Sequence, residues 1–187
     1  MTRTWSCGRS GPSASERHLI ILARAAAYST LFIGVLLILL PGRILAWSGM
    51  TRPATFGPPD LAGAGLTGLA GALALWCIGT FVVVGKGTPA PFDPPRRLVV
   101  RGPYRFVRNP MYLGAGLAIW GAALVYRSLA LFGYGAVFFL AMHALVVAYE
   151  EPTLERAFGE EYAAYRLRVP RWLPHFGAGI WRSPERS

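Results

Sequence analysis

Along the chain, apolar residues gather into long runs separated by short polar stretches. His18 to Leu40 is the first run, interrupted by Arg24 and closed by Pro41-Gly42, and Leu61 to Gly85 is the second. Met111 to Tyr126 and Ser128 to Tyr149 are the third and fourth, divided at Arg127-Ser128 alone. Three of the four reach the roughly 20 residues that cross the hydrocarbon core of a bilayer. The third, with 16 residues, reaches only about 24 Å as an α-helix. The pattern predicts an all-α polytopic membrane protein with about four transmembrane helices. The last two of them form a tight hairpin.

In the second run small residues recur at four-residue spacing, as Ala64, Gly68, Ala72 and as Gly71, Leu75, Gly79, a spacing that lets helix backbones approach closely in lipid. Beyond the fourth run, Leu154, Phe158, Tyr162 and Tyr165 form an apolar stripe. This predicts a C-terminal helix on the cytoplasmic membrane surface, ended by Arg168 to Pro174 with Trp172 at headgroup depth. For the first run a secretory signal is the alternative, with Arg17 as basic flank and Ile44-Leu45-Ala46 as a loose cleavage site. Its length argues against this, because the apolar core of a signal peptide runs to about 7–15 residues.

Composition agrees with a bilayer. The 187 residues are 53% hydrophobic and 15% charged, where soluble domains carry about 25% charged residues. A disordered chain is excluded by the apolar content. A disulfide scaffold is excluded because Cys7 and Cys77 allow at most one bridge, and neither has metal-ligand spacing, so no metal site is expected. The net charge of +10 would ordinarily suggest nucleic acid. Topology explains it better: fifteen of the 19 basic residues fall on one side of a four-span arrangement. The positive-inside rule puts that side, with both termini and the central loop, in the cytoplasm, so the partner is membrane lipid and not nucleic acid. Residues 1–16 read as a mobile tail, 17–187 as one membrane domain, and the Pro-rich stretch 87–95 as a stiff entry to the central loop.

Polar chemistry concentrates in two cytoplasmic stretches, Arg96 to Tyr112 and Tyr149 to Pro174. The hairpin between them returns the chain to the face it left, so the two should meet. Asn109 and Pro110 read either as helix punctuation, a cap and a first-turn proline, or as part of a site. Tyr104 and Tyr112 read either as interfacial aromatics or as site residues. Glu150-Glu151 end the fourth run, where the helix dipole disfavours carboxylates. They call for a cation, either a loop arginine or a cationic ligand. His143 lies seven positions before Glu150, on the same face of a regular α-helix, and an intramembrane ionisable group is a functional candidate. A satisfied interhelical histidine is the other reading. Arg24 reads as snorkelling to the interface or contacting a lipid headgroup.

The paired blocks GPYRFVRNPMYLG and EEPTLERAFGEEYAAYRLRVPRWLP, with a hairpin between them, resemble the isoprenylcysteine carboxyl methyltransferase family and its bacterial phospholipid methyltransferase-like relatives. The resemblance covers residues 85–175 and implies methyl transfer from S-adenosyl-L-methionine to a small lipophilic or lipid-linked acceptor bearing a carboxylate, thiol or amine. By position it implies cofactor contacts at Arg96, Arg97, Leu98, Val99, Tyr104, Asn109, Pro110, Met111, Tyr112 and Glu150. Glu150 and His143 are the candidates for catalysis, with Glu151 a further proton acceptor. Two positions depart from the family: Asn109 replaces the usual histidine and cannot titrate, and Val146 replaces the arginine that prenylcysteine enzymes carry four residues before the glutamate. Rival readings are a phospholipid amine methyltransferase, an NADPH-dependent reductase, since membrane sterol reductases look distantly similar here, and a non-catalytic scaffold.

Overall fold

The computed structural model describes residues 30–31, 33–49, 55, 57–80 and 98–174. Expectations for the N-terminal tail, Arg24, Arg96, Arg97 and the stretch 87–95 lie outside them. Among the described residues every regular element is helical. Helix α1 (Leu40–Trp47) is entered through a π-helical segment, Ile33–Leu39. Then come α2 (Pro58–Thr80), a 3₁₀ turn at Gly102–Arg105, α3 (Pro110–Val125) and α4 (Leu129–Leu145). A second π segment, Val146–Glu150, leads into α5 (Glu151–Phe158), and α6 (Glu160–Arg168) follows.

Two helices are long and apolar enough to cross a membrane: Pro58–Thr80, and the continuous run Leu129–Phe158 through α4, the π segment and α5. Only 17% and 22% of their most apolar windows are buried within the protein. Leu61, Leu69, Leu75, Trp76, Val137 and Leu140 are exposed on them, so their outer faces require an apolar solvent.

The most extensive packing joins α2 to α3. It does not use the small residues expected for it. Gly68 and Gly71 have open space where a side chain would project, and Ala64 and Ala72 are exposed. The close approach runs instead along Gly63, Thr67, Ala70 and Cys77. A Cβ on Gly63 would sit 2.5 Å from the Gly121 carbonyl oxygen, and one on Gly121 would sit 2.8 Å from that of Gly63. Spacing identified the kind of contact but not the face, because α2 carries small residues nearly all round.

At one end of the hairpin Arg127 takes a left-handed conformation (φ 49°) and bonds the buried Asp60 at 3.2 Å. Asp60 sits in the first turn of α2, where the helix dipole favours a carboxylate. Helix α1 and its π segment pack on α4: Tyr134 donates to the Leu36 carbonyl at 2.8 Å, and Leu36 and Leu37 cover Ile119 and Phe138.

Each π segment ends two residues before a proline, Pro41 or Pro152. Proline has no N–H and crowds the carbonyl four residues back, and a wider turn relieves that conflict. The helix therefore does continue through Pro152, but with a shifted register. It stops at Gly159, whose φ of 52° and ψ of −122° suit glycine alone.

The reciprocal glycine contact gives a test. Gly121→Ala should destabilise the protein by about 1–3 kcal/mol through overpacking, whereas Gly68→Ala should leave stability unchanged. Thermal unfolding of the detergent-purified variants distinguishes the two faces.

Candidate active site

At the other end of the hairpin the two polar stretches do meet. Residues 98–109 lie between the end of α2 and the α5–α6 segment. Val99 and Tyr104 are buried against Cys77, with Met111 packed on them. Val100 is buried among Tyr162, Tyr165 and Val169, flanked by Leu98, Leu154 and Phe158. The stripe expected to rest on the membrane surface is thus consumed in a protein core: Tyr162 and Tyr165 are almost fully buried. Tyr104 is likewise no interfacial aromatic. Its carbonyl accepts a 2.5 Å hydrogen bond from the Tyr165 hydroxyl. Burial pushes both phenols well above their ordinary range, so the Tyr165 hydroxyl keeps its proton and donates across all physiological pH.

The adjacent glutamates have different partners. Glu151, 6% exposed, takes two guanidinium groups. Arg171 binds it in bidentate fashion, Nε to Oε1 at 2.7 Å and Nη2 to Oε2 at 2.9 Å, and Arg108 Nη1 reaches Oε1 at 3.0 Å. The same Arg108 nitrogen donates to the Tyr162 hydroxyl at 3.3 Å, while Arg108 Nε is buried with no hydrogen-bond partner among the described residues. The bond to Glu151 raises the affinity of Arg171 for its proton. Backbone contacts close the arrangement, from the Arg108 amide to the Pro170 carbonyl at 2.9 Å and from Asn109 Nδ2 to the Arg171 carbonyl at 3.3 Å. Asn109 precedes Pro110, which does open α3, yet its side chain makes no capping bond. It tethers the C-terminal segment instead.

Glu150 has no such cations. Its Oε1 accepts a hydrogen bond from the Tyr112 hydroxyl on the first turn of α3, and no ion pair to it exists among the described residues. Among the described residues the compensating charge that the sequence called for therefore reaches Glu151 only. Arg108 and Arg171 were not singled out from the sequence. The signal available was one arginine-rich block facing one acidic block, which fixes no pairing.

His143 has a different partner. The π segment between positions 143 and 150 breaks the seven-residue relation that put both on one face. The Nδ1 of His143 accepts the Trp172 indole N–H at 3.0 Å, and Trp172 packs on Phe139 with the rings tilted and their centroids 4.7 Å apart. Trp172 is therefore packed against α4. A neutral imidazole holding that bond carries its proton on Nε2. Val146, at the start of the π segment, is 1% exposed. The structure brings together Leu98, Val99, Tyr104, Asn109, Pro110, Met111, Tyr112 and Glu150 at one end of the bundle, with Val99, Tyr104 and Pro110 committed to its core.

The model of the family described as phospholipid methyltransferase matches residues 60–161. Methanethiol S-methyltransferase 1 of Bradyrhizobium diazoefficiens is 34% identical over 93 residues, 49% of this chain and 30% of that protein. Methanethiol S-methyltransferase of Mycobacterium tuberculosis is 34% identical over 71 residues, 38% of this chain and 28% of that protein. The chain thus aligns with less than a third of the length of these curated relatives. No solved structure matches it.

Tyr165→Phe removes the hydroxyl that donates to the Tyr104 carbonyl. It should cost about 1 kcal/mol, read as a lower unfolding temperature, and no change would show that the bond to the Tyr104 carbonyl does not brace the loop.

Proposed function

The chain belongs to the phospholipid methyltransferase family, and from that premise we propose that it is an integral membrane enzyme that methylates a small lipophilic or lipid-linked acceptor from S-adenosylmethionine. The observation that carries this reading is the contrast between the two glutamates. Glu151 is neutralised by two arginines, while Glu150 is held by the neutral hydroxyl of Tyr112 and has no ion pair among the described residues.

The residues present fit the cofactor. It brings cationic groups, ribose hydroxyls and a carboxylate, and so needs an acceptor and a donor side by side. Glu150 is the acceptor, unpaired with any cation among the described residues, and the partnerless buried Nε of Arg108 is a donor. When bound, S-adenosylmethionine supplies a methyl group on a sulfonium sulfur, which keeps the bonding pair as the methyl leaves. Tyr112 fixes the direction of Glu150. The loop 98–109 forms the floor. Arg96 and Arg97 enter the proposal by motif alone. Positioning and exclusion of water carry most of the rate.

The acceptor we favour has no carboxylate. Arg171 and the Nη1 of Arg108 are engaged by Glu151, the Nε of Arg108 is assigned to the cofactor, and Val146 is apolar and buried where prenylcysteine enzymes have arginine. A thiol fits, and the names of the two curated relatives carry that class. Its proton passes to Glu150 rather than to His143, whose Nδ1 is occupied by Trp172. A phospholipid amine is the second reading, favoured by the family's description.

We further propose four spans: the first apolar run, α2, α3 and α4. Residues 17–187 form one domain, both termini and the glutamates face the cytoplasm of the cell (inner) membrane, and α5 and α6 lie at its surface. The excess of arginine on that side supports this orientation.

Saturable calorimetric binding of S-adenosylhomocysteine is expected. Glu150→Gln and Tyr112→Phe should each weaken it at least about tenfold, the loss of roughly one charge-assisted hydrogen bond, in folded protein. Unchanged affinity in both would sink the site, and binding of NADPH instead would favour the reductase. With labelled donor, an alkanethiol should yield the methyl thioether; label in phosphatidylethanolamine would select the amine reading. A fluorescent protein fused to the C-terminus should fluoresce and a fused periplasmic phosphatase should be inactive, and the opposite pair of results would invert the topology.

A further inference from the structure

Three separate parts of the chain converge on the carboxylate of Glu151. Arg108 comes from the central loop, Arg171 from the segment after α6, and Glu151 itself is the first residue of α5. Tyr162 and the Pro170 carbonyl join through Arg108, and Asn109 joins through the Arg171 carbonyl. Among the described residues Glu150 itself bonds none of these groups, its hydrogen bond coming from Tyr112. Yet Glu150 and Glu151 are neighbours on one helix and point about 100° apart around its axis, one residue of a 3.6-residue turn. Fixing the backbone register at one of them sets the direction in which the other leaves the helix.

What needs fixing is the π segment. Val146–Glu150 is a wide turn whose last residue is Glu150, and π turns are uncommon because an α-turn is ordinarily available. Pro152 opposes the α-turn locally. If the segment tightened all the same, everything after it would rotate by about one residue position, or 100°. Glu150 would leave Tyr112, and Glu151 would leave both arginines. The wide turn and the two carboxylate contacts therefore exist together.

We propose that Glu151, clasped by Arg108 and Arg171, is a positioning residue that holds the π register and so aims Glu150 at Tyr112 and at the methyl donor. The inference rests on the cofactor reading above and deepens it. Glu151 acts through Glu150 and does not touch the donor.

Calorimetry with S-adenosylhomocysteine on the full-length protein in detergent tests this, with unfolding temperature measured beside it. Wild type, Glu151→Gln, Arg171→Met, the double variant and Arg171→Lys form the set. Glu151→Gln and Arg171→Met should each weaken binding at least tenfold, and the double variant should be no weaker than either, as members of one device behave. Arg171→Lys keeps the charge without the planar fork and should fall between wild type and Arg171→Met. Tighter or unchanged binding by Arg171→Met would overturn the proposal, because the aim of Glu150 would then not depend on the bidentate clasp of Glu151. A lower unfolding temperature with unchanged affinity in Glu151→Gln would also overturn it, reducing the clasp to a brace. Should Glu151→Gln fail to fold, Arg171→Met and Arg171→Lys decide alone, since Arg171 is partly exposed. No binding by folded wild type would bring down the cofactor reading, and this proposal with it. Binding by wild type with indifferent variants would bring down only the clasp.

Discussion

A carboxylate taken out of water has to find positive charge, and Glu151 finds two guanidinium groups from opposite directions along the chain. Desolvating three charged groups is costly, and a buried ion network of this kind adds little net stability compared with apolar packing. What it supplies is geometry. A bidentate guanidinium fixes both distance and plane, so the segment after α6, the central loop and the end of the long helix can meet in only one arrangement. The hydrophobic cluster of Val100, Tyr162, Tyr165 and Val169 fills the space beneath without defining that register.

The other end of the molecule is arranged to support this. Backbone contact between α2 and α3 at Gly63 and Gly121 brings those helices together, and the Asp60–Arg127 pair secures the hairpin turn. Cys77, deep on α2, then receives Val99 and Tyr104. The loop that carries Asn109 and Arg108 is thereby seated on a membrane helix. Close packing at one end of the helices fixes the floor on which the polar groups of the other end assemble.

Much of this was legible in the residues. Apolar run length identified the long helices, and Arg127-Ser128 identified the hairpin. The order of the two polar blocks implied that they meet, and their motifs carried the resemblance that the family match upholds. Other features were misread for definite reasons. The packing face of α2 was assigned to the wrong small residues, since periodicity cannot choose among several glycine faces. Leu154, Phe158, Tyr162 and Tyr165 read as a lipid-facing stripe, because an apolar stripe does not announce whether protein or bilayer will cover it. His143 and Glu150 were put on one face by counting in steps of 3.6. Pro152 was present in the sequence as the warning that the count would fail there.

By itself the sequence determined the helical class, the apolar segments and the chemistry gathered in each polar block, because hydropathy, helix punctuation and charge are properties of single residues and near neighbours. Only the tertiary structure decided that Glu151 takes the arginines and leaves Glu150 to Tyr112. That choice depends on the register of a π turn and on side chains 20 to 43 residues away in sequence, and through-space pairing leaves no periodic trace in the chain.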